Sequence, residues 1–322
     1  MQRILQACAA GVLALACGAA QAWPDRAITV VVPYAPGGST DVLARVLADG
    51  LGRQLGQPVV VENAGGAGGT IGTTRVVRAQ PDGYTVLLHN MAVAPAPALY
   101  ARLPYDVTRD LQAVAPAGEV PMILVRNKNF APDSVQALIQ AMRAEPNAVN
   151  FSHAGVGATS HLCALLFTHT ARAQATLVPY RGTGPALQDL VAGNVDLICD
   201  QPVATLPHIQ SGALKPYAVA TRERLPALPE VPTFAQAGLP DFELSVWHGF
   251  YVPKGTPAAA VERLNQAVRA VLADPATAKR LTDMAVLIPP AASQTPQALQ
   301  TYTAAETRRW AEVVKATGVK PQ

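Results

Sequence analysis

The sequence predicts an α/β fold of two lobes, each a mostly parallel sheet flanked by helices. Three observations carry that expectation. Strand and helix patterns alternate along most of the 322 residues, and the order β-α-β-α-β occurs twice, from Val30 and again from Asn150. Such alternation builds parallel sheets covered on both faces. Each run opens with the same device, a short strand, a Gly-rich loop and a helix. Two extended segments, Met122-Ile123-Leu124-Val125 and Gly249-Phe250-Tyr251-Val252-Pro253, flank the second run and can carry the chain across and back. The expected lobes are therefore 23–123 with 247–322, and 124–246.

The chain opens on an export signal. Arg3 supplies the positive end, residues 4–16 are almost wholly apolar, and Ala20-Gln21-Ala22 fits small-x-small cleavage. The signal peptide is expected at 1–22 and the mature chain from Trp23. Ala14-Leu15-Ala16-Cys17 is a poorer, lipoprotein-like match. The apolar run is too short for a stable membrane span, and no later stretch is apolar enough, so a soluble exported protein is expected.

Val30-Val31-Val32 is the first strand. Pro33-Tyr34-Ala35-Pro36-Gly37-Gly38 is its loop, and Val42, Leu43, Val46, Leu47, Leu51 and Leu55 recur at helical spacing from 40 to about 54. Ser39, Thr40 or Asp41 can cap that helix. Its unpaired first-turn N–H groups point over the loop, where Gly37 and Gly38 let an anion approach, Gly38 with the positive φ such turns use. A strand at 58–62 leads through Gly65-Gly66-Ala67-Gly68-Gly69 into a helix near 70–79. Pro81-Asp82-Gly83 then turns into a strand at 84–89, which brings His89 and Asn90 to its end.

The second run begins with a strand, Asn150-Phe151-Ser152-His153. The loop Ala154-Gly155-Val156-Gly157-Ala158-Thr159-Ser160 and a helix from His161 follow. Strands at 177–179 and 195–199 alternate with helices after Gly184 and Pro202. Thr256-Pro257 and Thr295-Pro296 place Pro at the first turn of two C-terminal helices, the first carrying Val261, Leu264, Val268 and Val271, the second Leu299, Tyr302 and Trp310. Ligands of open α/β sheets sit beyond the carboxyl ends of the strands, so both Gly-rich corners should face one cleft.

Composition excludes several classes. The net charge is only +3 and no Lys/Arg run stands out, which argues against nucleic acid and against an electrostatic membrane contact. Of four cysteines, Cys8 and Cys17 leave with the signal. Cys163 and Cys199 remain, and they can pair in an oxidising compartment or stay as two buried thiols. Without Cys-x-x-Cys or His-Glu-x-x-His, no metal site is expected, nor any cofactor. The alternative to a binding protein is an exported α/β hydrolase-like enzyme. Gly37-Gly38-Ser39-Thr40-Asp41 lacks the last glycine of a Gly-x-Ser-x-Gly elbow, and Gly155-x-Gly157-x-x-Ser160 lacks the third glycine of a dinucleotide loop. No enzyme is expected.

The chain resembles the substrate-binding proteins of tripartite tricarboxylate transporters, the Bug family. Trp23-Pro24-Asp25-Arg26, Val32-Pro33-Tyr34-Ala35-Pro36-Gly37-Gly38-Ser39-Thr40-Asp41 and Pro81-Asp82-Gly83-Tyr84-Thr85 carry the likeness. So do Leu103-Pro104-Tyr105-Asp106, Val178-Pro179-Tyr180-Arg181-Gly182 and Leu228-Pro229-Glu230-Val231-Pro232-Thr233. The resemblance implies a two-lobed periplasmic binding fold, type II-like, that closes on a small carboxylate: a di- or tricarboxylate, an acidic amino acid or an aromatic acid. It implies integral membrane transporter subunits as partners and a periplasmic location; a monomer is expected. It carries Gly38, Ser39, Asp41, Gly157, Thr159 and Ser160 over as ligand contacts, through backbone amides and hydroxyls. Two departures stand out. The family often has Asn-Gly-Ser/Thr where this chain has Val156-Gly157-Ala158, and His153 replaces a small residue.

The residues themselves add cleft candidates: Tyr34, Gly37, His89, Asn90, Gly155, Ala158 and Tyr180, with His153 the polar residue most able to set specificity or else a hydrogen-bonded structural histidine. Asp200 ends a strand and either receives a ligand ammonium group or caps the helix after Pro202. Arg181 reads as a surface charge and Trp247 as core or hinge packing.

Overall fold

The computed structural model describes residues 23–317, so the expected signal peptide lies outside the described residues. In chain order, β1 (Ile28–Val32), α1 (Ser39–Leu55), β2 (Val59–Asn63), α2 (Thr70–Val77), β3 (Thr85–Asn90) and α3 (Ala96–Leu99) lead into β4 (Leu111–Pro121). A second group follows: β5 (Ile123–Asn127), α4 (Val135–Ala144), β6 (Asn150–His153), α5 (Thr159–Ala171), β7 (Thr176–Pro179), α6 (Thr183–Ala192), β8 (Leu197–Asp200), α7 (Pro202–Gln210) and β9 (Leu214–Val219). The chain ends with β10 (Ser245–Pro253), α8 (Ala258–Ala273), α9 (Pro275–Asp283) and α10 (Pro296–Thr317). No helix of the described residues is long and apolar enough to cross a membrane.

These strands form two five-stranded sheets, β2-β1-β3-β10-β4 and β7-β6-β8-β5-β9. The parallel core of each is as the alternation predicts: β1 pairs with β2 and β3, and β6 with β7 and β8. Each sheet also takes one strand running the other way. β10 is antiparallel to β3 and β4, and β5 to β8 and β9. The local pattern does not show this, because β10 reaches its neighbours from more than a hundred residues downstream.

Both faces of the first sheet are buried, which explains the unbroken valine run of β1. Val30 and Val32 join Val86, Leu88 and the α1 stripe Leu43, Leu47 and Leu51, while Val31 and Leu87 face the opposite cluster. The α1 stripe packs on Val261, Leu264, Val268 and Val271 of α8. Each such side chain, taken from water, contributes about 1.5–3 kcal/mol.

The chain passes from the first sheet to the second through Met122 alone, between β4 and β5. It returns through residues 220–244. The two crossings are stitched together: Ala220 N donates to Met122 O (2.8 Å), Met122 N to Leu244 O (3.0 Å) and Leu244 N to Ala220 O (3.1 Å). The outgoing and returning connections between the sheets thus lie side by side and are hydrogen-bonded to each other.

Cys163 of α5 and Cys199 of β8 are joined by a disulfide across a 36-residue separation, with Cα atoms 6.0 Å apart and both residues fully buried. It ties the first turns of α5 to the strand end that carries Asp200. Replacing both cysteines by alanine should lower unfolding stability by about 2–4 kcal/mol, because the open chain regains loop entropy. Urea denaturation of the oxidised protein and of the double variant measures this; equal midpoints would show that packing alone holds α5 to β8.

Candidate functional site

Both Gly-rich corners behave as helix starts without side-chain caps. α1 begins after Gly38 (φ −85°), and no side chain accepts from its first turn. Val42 N makes the first helical bond, to Gly38 O at 3.0 Å, so the Ser39, Thr40 and Asp41 amides have no helical partner. The expected cap by Ser39, Thr40 or Asp41 is thus not made, and the positive φ belongs to Gly37 (+81°) rather than to Gly38. α5 begins the same way after Ala158, with Leu162 N bonded to Ala158 O at 3.0 Å and the Thr159, Ser160 and His161 amides left over. α6 and α7 also start without a side-chain cap. By contrast, Ser134 caps α4 and Asp274 caps α9, both on helices that begin elsewhere.

Asp41 turns back into its own corner. Its carboxylate accepts from Gly37 N (2.9 Å), Asn63 Nδ2 (2.9 Å) and Arg45 Nε (3.1 Å), which fixes the loop shape rather than meeting the cleft. Burial pushes its pKa up, but the bonds from Arg45, Gly37 and Asn63 outweigh that and hold it below the ordinary carboxylate value. Tyr34, His89 and Asn90 share one buried network. Tyr34 Oη donates to Asn90 Oδ1 (3.2 Å) and meets the His89 ring edge-on at 5.7 Å. Asn90 Nδ2 donates to Thr40 Oγ1 (3.1 Å), which lies 3.4 Å from His248 Nε2. Burial lowers His89 and His248 to about 3, so both are neutral at pH 7.

In the second corner the histidines hold the loop. Gly155 N donates to His153 Nδ1 (3.3 Å), Gly157 N to His161 Nδ1 (3.2 Å), and Ala154 N to Ser160 Oγ (2.8 Å). The two imidazoles stack at 4.6 Å between centroids. Tyr180 stands beside this corner, but its hydroxyl is taken by Asp189 Oδ2 at 2.6 Å.

Asp200 joins the first corner to the start of α6. Ser39 Oγ donates to its Oδ1 (2.9 Å) from the other lobe, Thr183 Oγ1 to its Oδ2 (2.5 Å), and Gln201 N to Oδ1 (2.7 Å). It does not cap α7, the role offered for it by sequence. Its complete burial raises its pKa despite those three donors. Beside it, Gln201 Oε1 is buried with no donor among the described residues. Further contacts close the gap: Ala35 N donates to Arg181 O (3.3 Å) and Tyr100 Oη to Val156 O (2.7 Å). A recess of about 540 Å³ remains between the lobes, lined by Ala67, Tyr100, Gly155, Val156, Tyr180 and Arg181 among others.

Sequence reasoning missed Tyr100, His161, Thr183 and His248, took Thr40 only as a helix cap, and placed Gln201 beside Asp200 at a strand end without a role. One signal was present for Thr183. Leu177-Val178-Pro179 followed by Gly182-Thr183-Gly184 is a fourth strand–glycine–helix corner. His248 had none, because its strand pairs only through long-range contacts.

Two αβ lobes with their helix starts turned towards one gap define a two-lobed solute-binding protein. The model of the "Tripartite tricarboxylate transporter family receptor" matches residues 43–319, and the chain belongs to that family. It is similar to Protein BugT of Bordetella pertussis, 40% identical over 303 residues, 94% of this chain and 92% of that one. It is similar also to the solved structure of the periplasmic binding protein BugD (TM-score 0.90, 39% identity, 93% and 100% of the two chains). The structure of MatC from Rhodopseudomonas palustris with bound malate superimposes with a TM-score of 0.87 at 40% identity, over 91% and 100% of the chains. The protein is a binding protein and not an enzyme.

Closure depends on glycines that let backbone meet backbone. A Cβ on Gly184 would stand 2.2 Å from Pro36 O, and one on Gly68, whose φ is +60°, 2.0 Å from Val156 O. In each pair the partner belongs to the opposite lobe. Gly184→Ala should therefore hold the lobes apart while leaving each sheet intact. Small-angle scattering should give a larger radius than wild type, with an unchanged circular dichroism spectrum. An identical radius would mean that the gap absorbs a methyl group without opening.

Proposed function

We propose that this chain captures a small carboxylate between its lobes, in the periplasm, and presents it as a monomer to the membrane subunits of a tripartite tricarboxylate transporter. The reading is supported above all by α1 and α5, on opposite lobes, which both start uncapped against the other lobe, α1 with Ser39 on Asp200 and α5 with Gly157 beside Tyr100. Each helix start favours an anion by about 0.3–1 kcal/mol when exposed and up to about 2 kcal/mol when partly buried. Only the closed form lets one ligand use both, so binding must favour closure. Ser39, Thr159 and the amides around Gly38 and Gly157 are the proposed contacts; Asp41, Ser160 and the backbone bonds of Gly155 shape the loops that present them. Tyr34, His89 and Asn90 form the wall behind α1. MatC holds malate on a closely similar fold, which favours a dicarboxylate.

Carboxylate at a hundredfold excess over its Kd should stabilise the protein by about 2.7 kcal/mol. Differential scanning fluorimetry against succinate, malate, citrate and benzoate, with glucose as a neutral control, measures this. A shift with glucose and none with any acid would overturn the proposal.

A further inference from the structure

We propose that His153 and His161 are positioning residues whose paired Nδ1 atoms hold the second loop in its anion-accepting shape, and that protons therefore compete with the carboxylate for this corner. The inference rests on the carboxylate reading above.

The loop has three inward-held amides. Ala154 N is held by Ser160, Gly155 N by His153 and Gly157 N by His161. An amide can donate only to an imidazole nitrogen that carries a lone pair, so both rings are fixed as the neutral form with the proton on Nε2. Neither Nε2 has a protein partner among the described residues. A proton added at either Nδ1 turns an acceptor into a donor facing another donor. The Gly155 or Gly157 amide must then swing away, and the first turn of α5 loses the loop that aims it.

Nothing at this corner offsets such a charge. The ring against each histidine is the other histidine, at 4.6 Å. The other titratable or charged groups on the surrounding elements are Tyr180 and the cationic Arg181 after β7, Tyr100 after α3 and Asp200 at the end of β8. Tyr180 is spent on Asp189, Tyr100 on Val156 O, and Asp200 on Ser39, Thr183 and Gln201 N. Burial, followed by the facing His153, lowers His161 to about 4, and burial lowers His153 as well. Both are thus neutral at pH 7 and take up protons more readily once the loop is broken. Protons then favour the broken loop below the ordinary histidine value of about 6.5, and the effect is complete near 4.

Asparagine separates the roles, because its Oδ1 can accept the same amide and does not titrate. Calorimetry with malate should show wild-type affinity falling as pH drops from about 6.5 towards 4, by at least about tenfold more than in the His153→Asn/His161→Asn variant. The ligand's own protonation is common to both proteins. His153→Phe, which keeps the ring and removes the acceptor, should bind weakly at every pH. Long-range ¹⁵N correlation on the wild-type protein should show both rings protonated at Nε2 only. Parallel pH profiles for wild type and the Asn variant, or a proton on either Nδ1 at neutral pH, would overturn the assignment while leaving carboxylate binding in place. A wild-type protein that binds none of the acids would instead overturn the carboxylate reading, and this assignment with it.

Discussion

The constraint on which the rest of the structure depends is the fate of the first-turn amides. A helix leaves its first N–H groups without internal partners, and burying them unpaired is unfavourable. Ser134 and Asp274 cap α4 and α9, while α2, α3 and α8 start without a side-chain cap. At α1, α5, α6 and α7 there is none either. These four starts follow β1, β6, β7 and β8, at the carboxyl ends of parallel strands, where the geometry of the sheets turns them towards one gap. Fold and site are thus one decision. The parallel core of each sheet is what collects these four uncapped ends.

Keeping those ends open while the lobes touch imposes a second demand. Side chains that could bond to the amides must be occupied elsewhere. Asp41 is the plainest case, since a carboxylate in the first turn of α1 would fill the anion position if it were idle. Its oxygens are instead taken by Gly37 N, Asn63 and Arg45. Ser160 plays the same part in the other lobe by accepting from Ala154 N. The residues that most resemble ligand contacts in sequence are the ones the fold spends on loop shape. The backbone amides of 39–41 and 159–161 are left without a helical partner, while Ser39 Oγ is bonded to Asp200.

This explains what was legible in the sequence and what was not. Valine-rich β1 and the apolar stripe of α1 follow from local periodicity, and both Gly-rich corners were visible as glycine between a strand and a helix start. The antiparallel entry of β10 was not, because extended backbone shows no direction until its partners are known. Nor was the full use of Asp41, whose partner Arg45 is one turn on in the same helix but whose partner Asn63 lies on β2. Asp200 could be placed at a strand end but not assigned, since its donors come from Ser39 and Thr183, on two corners far apart in sequence. Local chemistry locates a loop; only the closed arrangement says which atoms remain free.

No Lys or Arg lies within either Gly-rich loop, and Arg45 beside the first is paired with Asp41, which has an electrostatic consequence. An arginine would attract any anion strongly and at long range, with its own hydration to be removed on closure. Helix ends act only within about a turn, and they are aimed. Discrimination must then come from where the oxygens of the ligand sit, not from its total charge. Asp200 sharpens this. It is buried beside the gap, with its pKa raised by burial, and already bonded to Ser39, Thr183 and Gln201 N. A ligand carboxylate brought close to it would raise that pKa further, through like charge, and favour its protonated form. Gln201 Oε1 adds a buried acceptor with no donor. Asp200 sits against Ser39 at the start of α1, so the helix ends there meet a buried, bonded carboxyl and an amide oxygen without a donor among the described residues rather than a basic group.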